Sequence, residues 1–350
     1  MNEAPPRGID YERLLPWFRE HVARVDGLRA EVIGHGRSNI TYRVSSGDQS
    51  WVLRRPPLSH VMPTAHDMKR EFRVISALRP TNVPVPDAIA LCEDVAVNDA
   101  PFYVMSYVQG MVPTDPNAVA AKYDAATQRR MGEELVDTLA LLHALNPADV
   151  GLADFGKPQG YIERQVRRFS GQIEQHRTRD VPELEELARR LSAWIPPESD
   201  AAIVHGDYRL DNCVIDDDGH IAAVLDWEMA TLGDPLADVG SQYMYWAGSE
   251  AGSATQGIAG AVTALPAFMK RDEAMRRYAE KSGRDVSNLD FYIVLAYFRL
   301  AVILEGIYAR FLEGGTVGAG FEMMGAQATN LAKAGLAIAS ASKVPSLRGA

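Results

Sequence analysis

Cysteine is scarce in this chain, with only Cys92 and Cys213 among 350 residues. So few exclude a disulfide framework and fit a reducing compartment. The basic excess that nucleic-acid binding requires is also missing: 46 acidic residues against 36 lysines and arginines leave a formal net charge of −10. That balance still admits a nucleotide, which arrives as its magnesium complex. Long apolar runs are lacking too. The longest, "FYIVLAYFRLAVIL" at 291–304, is too short to span a bilayer and contains Arg299, so it reads as a buried core helix with no membrane partner. The opening "MNEAPPRGIDYERLL" has neither the basic start nor the apolar core of a signal peptide, and a cytoplasmic location is expected. Repeats are absent, and the one low-complexity tract is "EGGTVGAG" at 313–320.

What remains is ordinary globular material, 47% hydrophobic and 23% charged, in a length that makes one large domain or two moderate ones. A helix is expected over 10–25, then short β-branched and aromatic runs cut by Gly and Pro, which read as three strands across "AEVIGHGRSNITYRVSSGDQSWVLRRPP". In "HDMKREFRVISAL" (66–78), Met68, Phe72, Ile75 and Leu78 recur at helical spacing, with Asp67 favouring the N-terminus. Two more strands follow, in "VPVPDAIALCED" and "FYVMSYV". Beyond them the texture turns helical, at 126–145, 161–176, 182–194, 264–282 and 289–312. The expected class is α+β, with a boundary near 107–113 between a small strand-rich lobe, 1–108, and a larger, mainly helical lobe, 109–350.

One stretch in the helical part stands apart: "VHGDYRLDNCVIDDDGHIAAVLDWE" (204–228). Carboxylates crowded this way repel unless a cation, a proton or a turn explains them. "CVI" and "IAAVL" are β-prone, and "DDDG" between them is turn chemistry. A hairpin folded about 216–220 brings Asn212 and Asp226, each seven residues from Gly219, together at its open end, with Cα atoms roughly 5 Å apart. One amide oxygen and one carboxylate suit Mg²⁺, a hard cation with few protein ligands. The spacing of an EF-hand is absent. Asp207, on the loop entering the hairpin, stands where a base would accept a proton from an attacking hydroxyl. H-x-D-x-x-x-x-N with a downstream Asp matches the kinase catalytic loop and its metal-binding Asp.

"VHGDYRLDN" together with "VLDWEMATLGDPLADV" resembles the aminoglycoside phosphotransferase and choline-kinase-like family, which has a protein-kinase-like two-lobed fold. The resemblance covers about residues 28–312 and extends through "WVLRRPP", "AHDMKREFRVISAL" and "FYVMSYVQG". These segments are similar to the branch associated with, or fused to, acyl-CoA dehydrogenases. The resemblance implies Asp207 as catalytic base, Asn212 and Asp226 as Mg²⁺ ligands, ATP as phosphoryl donor and a functional link to an acyl-CoA dehydrogenase. Against this, the bland reading makes the same residues turn and cap positions.

The strand that carries the phosphate-gripping Lys in kinase-like folds corresponds to "WVLRR". Alternation puts Val52 and Arg54 on one face, Val52 over adenine and Arg54 toward phosphate, with Glu71 as helix partner and Arg55 turned away. Arg in place of Lys is a departure, because its shape and hydration differ. Gly34 and Gly36, in "GHGRSN", permit close approach to phosphates. Main-chain groups near Ser106 and Tyr107 form the expected hinge to the adenine edge. "DWE" replaces D-F-G, and Gly206 stands where H-R-D has its Arg. His205 reads as a loop support, His143 as a core residue, and Asp234 and Asp238 as caps that brace the catalytic loop.

Only eight residues separate Asp226 from Pro235, and no A-P-E follows, so a peptide platform is lacking and a small-molecule hydroxyl acceptor is expected. In 290–311, Arg299 and Glu305 interrupt an apolar helix, and buried charges require partners. They form an internal ion pair with other helices, or they recognise substrate with Tyr292, Tyr297 and Tyr308 as walls. Asp211 and Glu228 are surface, supporting or substrate-contacting residues. The function that emerges is ATP-dependent transfer of the γ-phosphoryl group to a small-molecule hydroxyl. The acyl-CoA-dehydrogenase-associated branch suggests a hydroxyacyl-CoA-type acceptor, and an aminoglycoside is the family's namesake alternative. The rivals are a non-catalytic nucleotide-binding module and a metal-dependent hydrolase.

Overall fold

The computed structural model describes residues 5–33, 39–58, 67–197, 199–246, 261–315 and 320–349. The chain forms two compact units, Met1–Met111 with Ala222–Ala230, and Val112–Ile221 with Thr231–Ala350. The sequence reading has a single boundary near 107–113; the structure adds a return, in which the segment carrying Asp226 and Glu228 belongs with the first unit.

In the first unit, helix α1 (Tyr11–His21) starts where the Asp10 carboxylate accepts the amides of Glu12 and Arg13, and it buries Leu14 and Phe18. Strands β1 (Arg29–Val32), β2 (Ile40–Ser46) and β3 (Gln49–Arg55) lead to α2 (Met68–Leu78), capped by Asp67 through the Arg70 amide. Strand β4 (Ala88–Cys92), the short α3 (Val95–Asn98) and β5 (Phe102–Ser106) complete an antiparallel sheet of order β1-β2-β3-β5-β4. Central β3 is buried on both faces. Trp51 and Leu53 enter an apolar cluster with Leu14, Phe18, Phe102 and Val104. Strand alternation sends Val52 and Arg54 to the opposite face. There the segment Ala222–Ala230 is tied down by the Val224 amide on Pro84 O at 2.8 Å and by Arg70 Nη2 on Ala230 O at 3.0 Å.

The second unit opens with α4 (Pro116–Lys122), α5 (Ala125–Ala144), α6 (Tyr161–Gln175) and α7 (Pro182–Ala193). Four short strands follow along the chain: β6 (Ala202–Val204), β7 (Cys213–Ile215), β8 (Ile221–Val224), which from Ala222 onward belongs to the first unit, and β9 (Thr231–Gly233), antiparallel to β6. The DDDG turn before β8 is closed by the Gly219 amide on Asp216 O and the Asp216 amide on His220 O. Helices α8 (Leu236–Tyr245), α9 (Arg271–Ser282), α10 (Leu289–Leu312) and α11 (Met324–Ala341) finish the unit. Helix α10 has the bounds expected from the sequence, and it extends the apolar run 291–304, too short by itself to span a bilayer. Its 24 residues are long and apolar enough to cross a membrane, yet 83% of its most apolar window is buried among its own neighbours, as in a core helix. Helix α8 crosses it closely: a Cβ on Gly240 would lie 2.4 Å from Tyr292 O, so only glycine fits there.

Candidate active site

In the first unit the carboxylates gather on Arg54, which is 9% exposed. Its Nε lies 3.2 Å from Glu71 Oε1, and its Nη2 pairs with Asp226 and lies 3.6 Å from Glu228 Oε2. The contact with Glu71 is ionic without hydrogen-bond alignment, since Arg54 Nε and both Glu71 oxygens are buried without a hydrogen bond. Burial pushes the Glu71 carboxyl up to about 7, against the pull of Arg54. Arg54 stays protonated, because the attraction of Glu71, Asp226 and Glu228 outweighs its burial. Asn39 Nδ2 donates to Glu228 Oε2 at 2.9 Å. Asp226 itself sits in the left-handed region, φ 66°, a conformation that costs an aspartate free energy and recurs at functional sites.

Three of the residues assigned to the nucleotide side, Val52, Arg54 and Glu71, are thus buried in one unit with Asp226 and Glu228. Arg55 turns away as alternation requires and donates to Gly8 O and Asn98 O. The Ser106 amide and Oγ both engage Asp87, which closes β5 onto a turn. The Tyr107 ring is covered by the Arg43 guanidinium, 4.6 Å from its centre. Gly34 and Gly36 lie outside the described residues.

In the second unit the loop from β6 to β7 is clamped from below. Buried Asp238, on α8, accepts the His205 amide at 2.7 Å and the Gly206 amide at 2.8 Å. Gly206 needs its glycine, with φ 89°, which is why no arginine stands at this position. His143 contacts Asp238 at 3.3 Å through Nε2 and Tyr278 Oη at 2.7 Å through Nδ1. Burial pushes His143 down, so this ring is neutral and its contact with Asp238 is a hydrogen bond rather than an ion pair. Burial alone would raise Asp238, but His143, His205 and the Gly206 amide hold it below its ordinary value. The Asp207 amide donates to His205 Nδ1 at 3.2 Å, which makes His205 a loop support.

Above this clamp, Asp207 is half-exposed and oriented from two sides. Asn212 Nδ2 donates to Asp207 O at 2.9 Å and to its Oδ2 at 3.1 Å, and Arg209 Nε lies 3.3 Å from Oδ2. Because the Asn212 nitrogen is committed inward, its Oδ1 is the atom left to meet a cation. Arg209 also reaches Asp211 at 3.4 Å and covers the Tyr245 ring at 5.2 Å. Arg209 and Tyr245 were not singled out in the sequence. Arg209 lies inside the motif, two residues past Asp207, and that spacing was the available signal. Tyr245 is brought in by α8, from outside the motif.

Helix α10 divides the remaining candidates. Glu305 is held bidentately by Arg179, Nε to Oε1 at 2.9 Å and Nη2 to Oε2 at 2.7 Å, and the Arg179 guanidinium lies over Tyr308. Tyr308 also packs on Gly325 and Phe311. The Tyr292 hydroxyl donates to buried Asp234 at 2.7 Å. These three side chains are committed to internal partners. Arg299 is not paired with Glu305.

A two-unit arrangement with an antiparallel sheet, a buried cation–carboxylate cluster and a clamped H-x-D-x-x-x-x-N loop defines a kinase-like phosphotransferase fold. The phosphotransferase enzyme family model matches residues 29–277, and the chain belongs to this family. It is 34% identical over 311 residues to acyl-CoA dehydrogenase family member 11 of Gallus gallus, covering 86% of this chain and 39% of that protein, so it spans about two fifths of the relative's length. A solved structure from Ralstonia eutropha JMP134, provisionally assigned as an aminoglycoside phosphotransferase, shares 34% identity and a TM-score of 0.81 over 95% of this chain and 98% of that one. A thermostable mutant of aminoglycoside phosphotransferase APH(4)-Ia, in ternary complex with AMP-PNP and hygromycin B, shares the fold at 15% identity, with TM-score 0.61 over 94% and 99% of the two chains.

Proposed function

We propose that the chain is an ATP-dependent phosphotransferase that moves the γ-phosphoryl group to a hydroxyl of a small molecule. The observation that carries this reading is Asp207: a half-exposed carboxylate, held by Arg209 and Asn212 on a loop that Asp238 fixes from beneath. Such orientation is what a base needs and a turn residue does not. In the transfer, the acceptor oxygen forms a bond to the γ-phosphorus and the bond from that phosphorus to the bridging oxygen breaks. Its electron pair stays on ADP, and the hydroxyl proton passes to Asp207. Arg54 steadies the phosphates. Its Nε and Nη2 are committed to carboxylates while Nη1 donates no hydrogen bond among the described residues, a division of labour that one ammonium cannot make. The Asn212 side-chain oxygen and the Asp226 carboxylate are each hard donors of the kind that Mg²⁺ takes. When bound, it would neutralise phosphate charge.

The acceptor class is supported by names alone. A ternary complex of a fold neighbour with AMP-PNP and hygromycin B supports ATP with a small acceptor, and aminoglycosides as one class. The name of the 34% identical relative supports a hydroxyacyl-CoA-type metabolite linked to acyl-CoA dehydrogenation. The test is a screen of hydroxyl-bearing metabolites, including hydroxyacyl-CoAs and aminoglycosides, for acceptor-dependent ADP release. With a working acceptor, Asp207→Asn should lower kcat by about 10²-fold or more at unchanged ATP affinity. If the wild type turns over no faster than Asp207→Asn with any of them, the non-catalytic nucleotide-binding module becomes the better account.

A further inference from the structure

Arg299, on α10, is 8% exposed, and among the described residues no carboxylate pairs with it. Its Nε is buried without a hydrogen bond. Among the described residues its aromatic partner is the face of Phe169, with the guanidinium carbon 5.4 Å from the ring centre. A single cation–π contact does not offset the desolvation of a buried guanidinium. A protein retains such a residue at the expense of stability when something outside the chain completes it.

A second unsatisfied group lies in the same unit. Gln242, on α8, is 1% exposed, and both its side-chain amide atoms are buried without a partner. It sits one turn before Tyr245 on the same face of α8. Tyr245 adjoins the proposed base: Arg209, 3.3 Å from Asp207, lies 5.2 Å from the Tyr245 ring centre, and the Tyr245 hydroxyl is hydrogen-bonded to Asp207. Helix α10, which carries Arg299 two turns beyond Tyr292, packs on α8 where Gly240 meets Tyr292, and burial first, with the charges of Asp207, Arg209 and Arg299, acts on Tyr245. The Arg299 charge also reaches Tyr161. Among the described residues, a cation without a carboxylate and an amide without a partner thus lie on the two packed helices, α10 and α8, of which α8 carries the tyrosine that adjoins the proposed base.

We propose that Arg299 anchors an anionic oxygen group, a carboxylate or a phosphate ester, on the molecule whose hydroxyl Asp207 activates, with Gln242 supplying a neutral hydrogen bond beside it. This deepens the phosphotransferase reading and rests on it for the hydroxyl. It favours an acidic hydroxy compound over an aminoglycoside, whose ammonium groups would face an uncompensated guanidinium. The guanidinium suits such a group because it binds carboxylate or phosphate through two parallel N–H donors.

The test uses the full chain saturated with Mg·AMP-PNP, so that the nucleotide's phosphate positions are filled. Thermal midpoints are read at constant ionic strength against inorganic phosphate and, separately, acetate, for the wild type, Arg299→Met and Arg299→Lys. The wild type should show a saturable rise with at least one anion, and which one identifies the group. Arg299→Met should start at or above the wild-type midpoint and lose the saturable response, needing at least tenfold more anion. Arg299→Lys should keep a weakened response. A lower midpoint for Arg299→Met without anion would make Arg299 a structural residue and overturn the proposal. A wild-type response in Arg299→Met, or no saturable response in the wild type, would overturn it as well. Asp207→Asn should keep the anion response, so a failed acceptor screen counts against the activity and leaves the Arg299 result standing.

Discussion

Arg54 and Arg299 are the same residue type at nearly the same burial, 9% and 8% exposed, one on a strand and the other on a helix of a different unit. Arg54 has three carboxylates within 3.6 Å, while Arg299 has the face of one phenylalanine. The contrast shows that burial alone does not give a charge its role. Where the chain supplies the counter-charge, the arginine belongs to an internal framework of ion pairs. Where none is supplied among the described residues, the proposed anionic ligand would provide it.

The largest expected difference between the two is in stability. Arg54→Met leaves Glu71 buried without its cation and should cost about 3–5 kcal/mol in urea unfolding near pH 8, whereas Arg299→Met should cost nothing. The pH dependence sharpens this. Glu71 already binds its proton more tightly in the folded than in the unfolded chain, with its carboxyl raised from 4.5 to about 7, so stability falls as pH rises across that window. Without Arg54 the folded value rises further. The penalty of Arg54→Met should therefore shrink at about pH 5, and Arg54→Met with Glu71→Leu should recover most of it. A pH-independent loss would show that the ion pair is not its source.

Affinity gives the next effect. Arg54→Lys keeps one positive charge but cannot divide three nitrogens among Glu71, Asp226 and phosphate. It should weaken ATP by about tenfold, or about 1.4 kcal/mol, and adenosine hardly at all, in titration calorimetry. Equal losses for the two ligands would mean that Arg54 does not touch phosphate.

The smallest effects come from the clamp under Asp207, a buried anion compensated by amides rather than by an arginine. Asp238→Asn loses charged acceptance of two amides and should cost about 1–2 kcal/mol, with kcat falling as the loop loosens. His143 beneath it is held neutral below its ordinary 6.5, so the unfolded chain takes up a proton that the folded chain refuses. Stability should fall as pH drops through that range, by up to about 1.4 kcal/mol per unit, and His143→Gln should remove that part of the slope. A slope unchanged in His143→Gln would assign it to other groups.

Much of the frame was legible because it is local. Asp10 and Asp67 cap helices whose apolar residues recur every three or four positions, and "WVLRR" alternates so that Arg54 and Arg55 separate. The role of Asp238 as a brace followed from its place at the start of a helix just beyond the motif. Other features were not legible, for a common reason. Arg179 is 126 residues from Glu305 in sequence, and nothing in the spacing of α10 indicates that it would satisfy that carboxylate. Ser106 reads as hinge, and its spacing does not show that the Asp87 turn takes its amide. The return of Ala222–Ala230 to the first unit depends on packing against α2, which a hairpin drawn from turn residues does not convey.

By itself, the sequence determined the element types, the kinase-like order of motifs and the candidates for base, ligand and phosphate grip. These follow from backbone periodicity, turn chemistry and spacing within a few tens of residues. Only the tertiary structure decided which buried charges are paired. Electrostatic compensation acts over a few ångströms of space and is indifferent to distance along the chain. Glu305 and Arg299 lie six positions apart on one helix, yet the first is paired with an arginine from a distant loop, and the second has no carboxylate partner among the described residues.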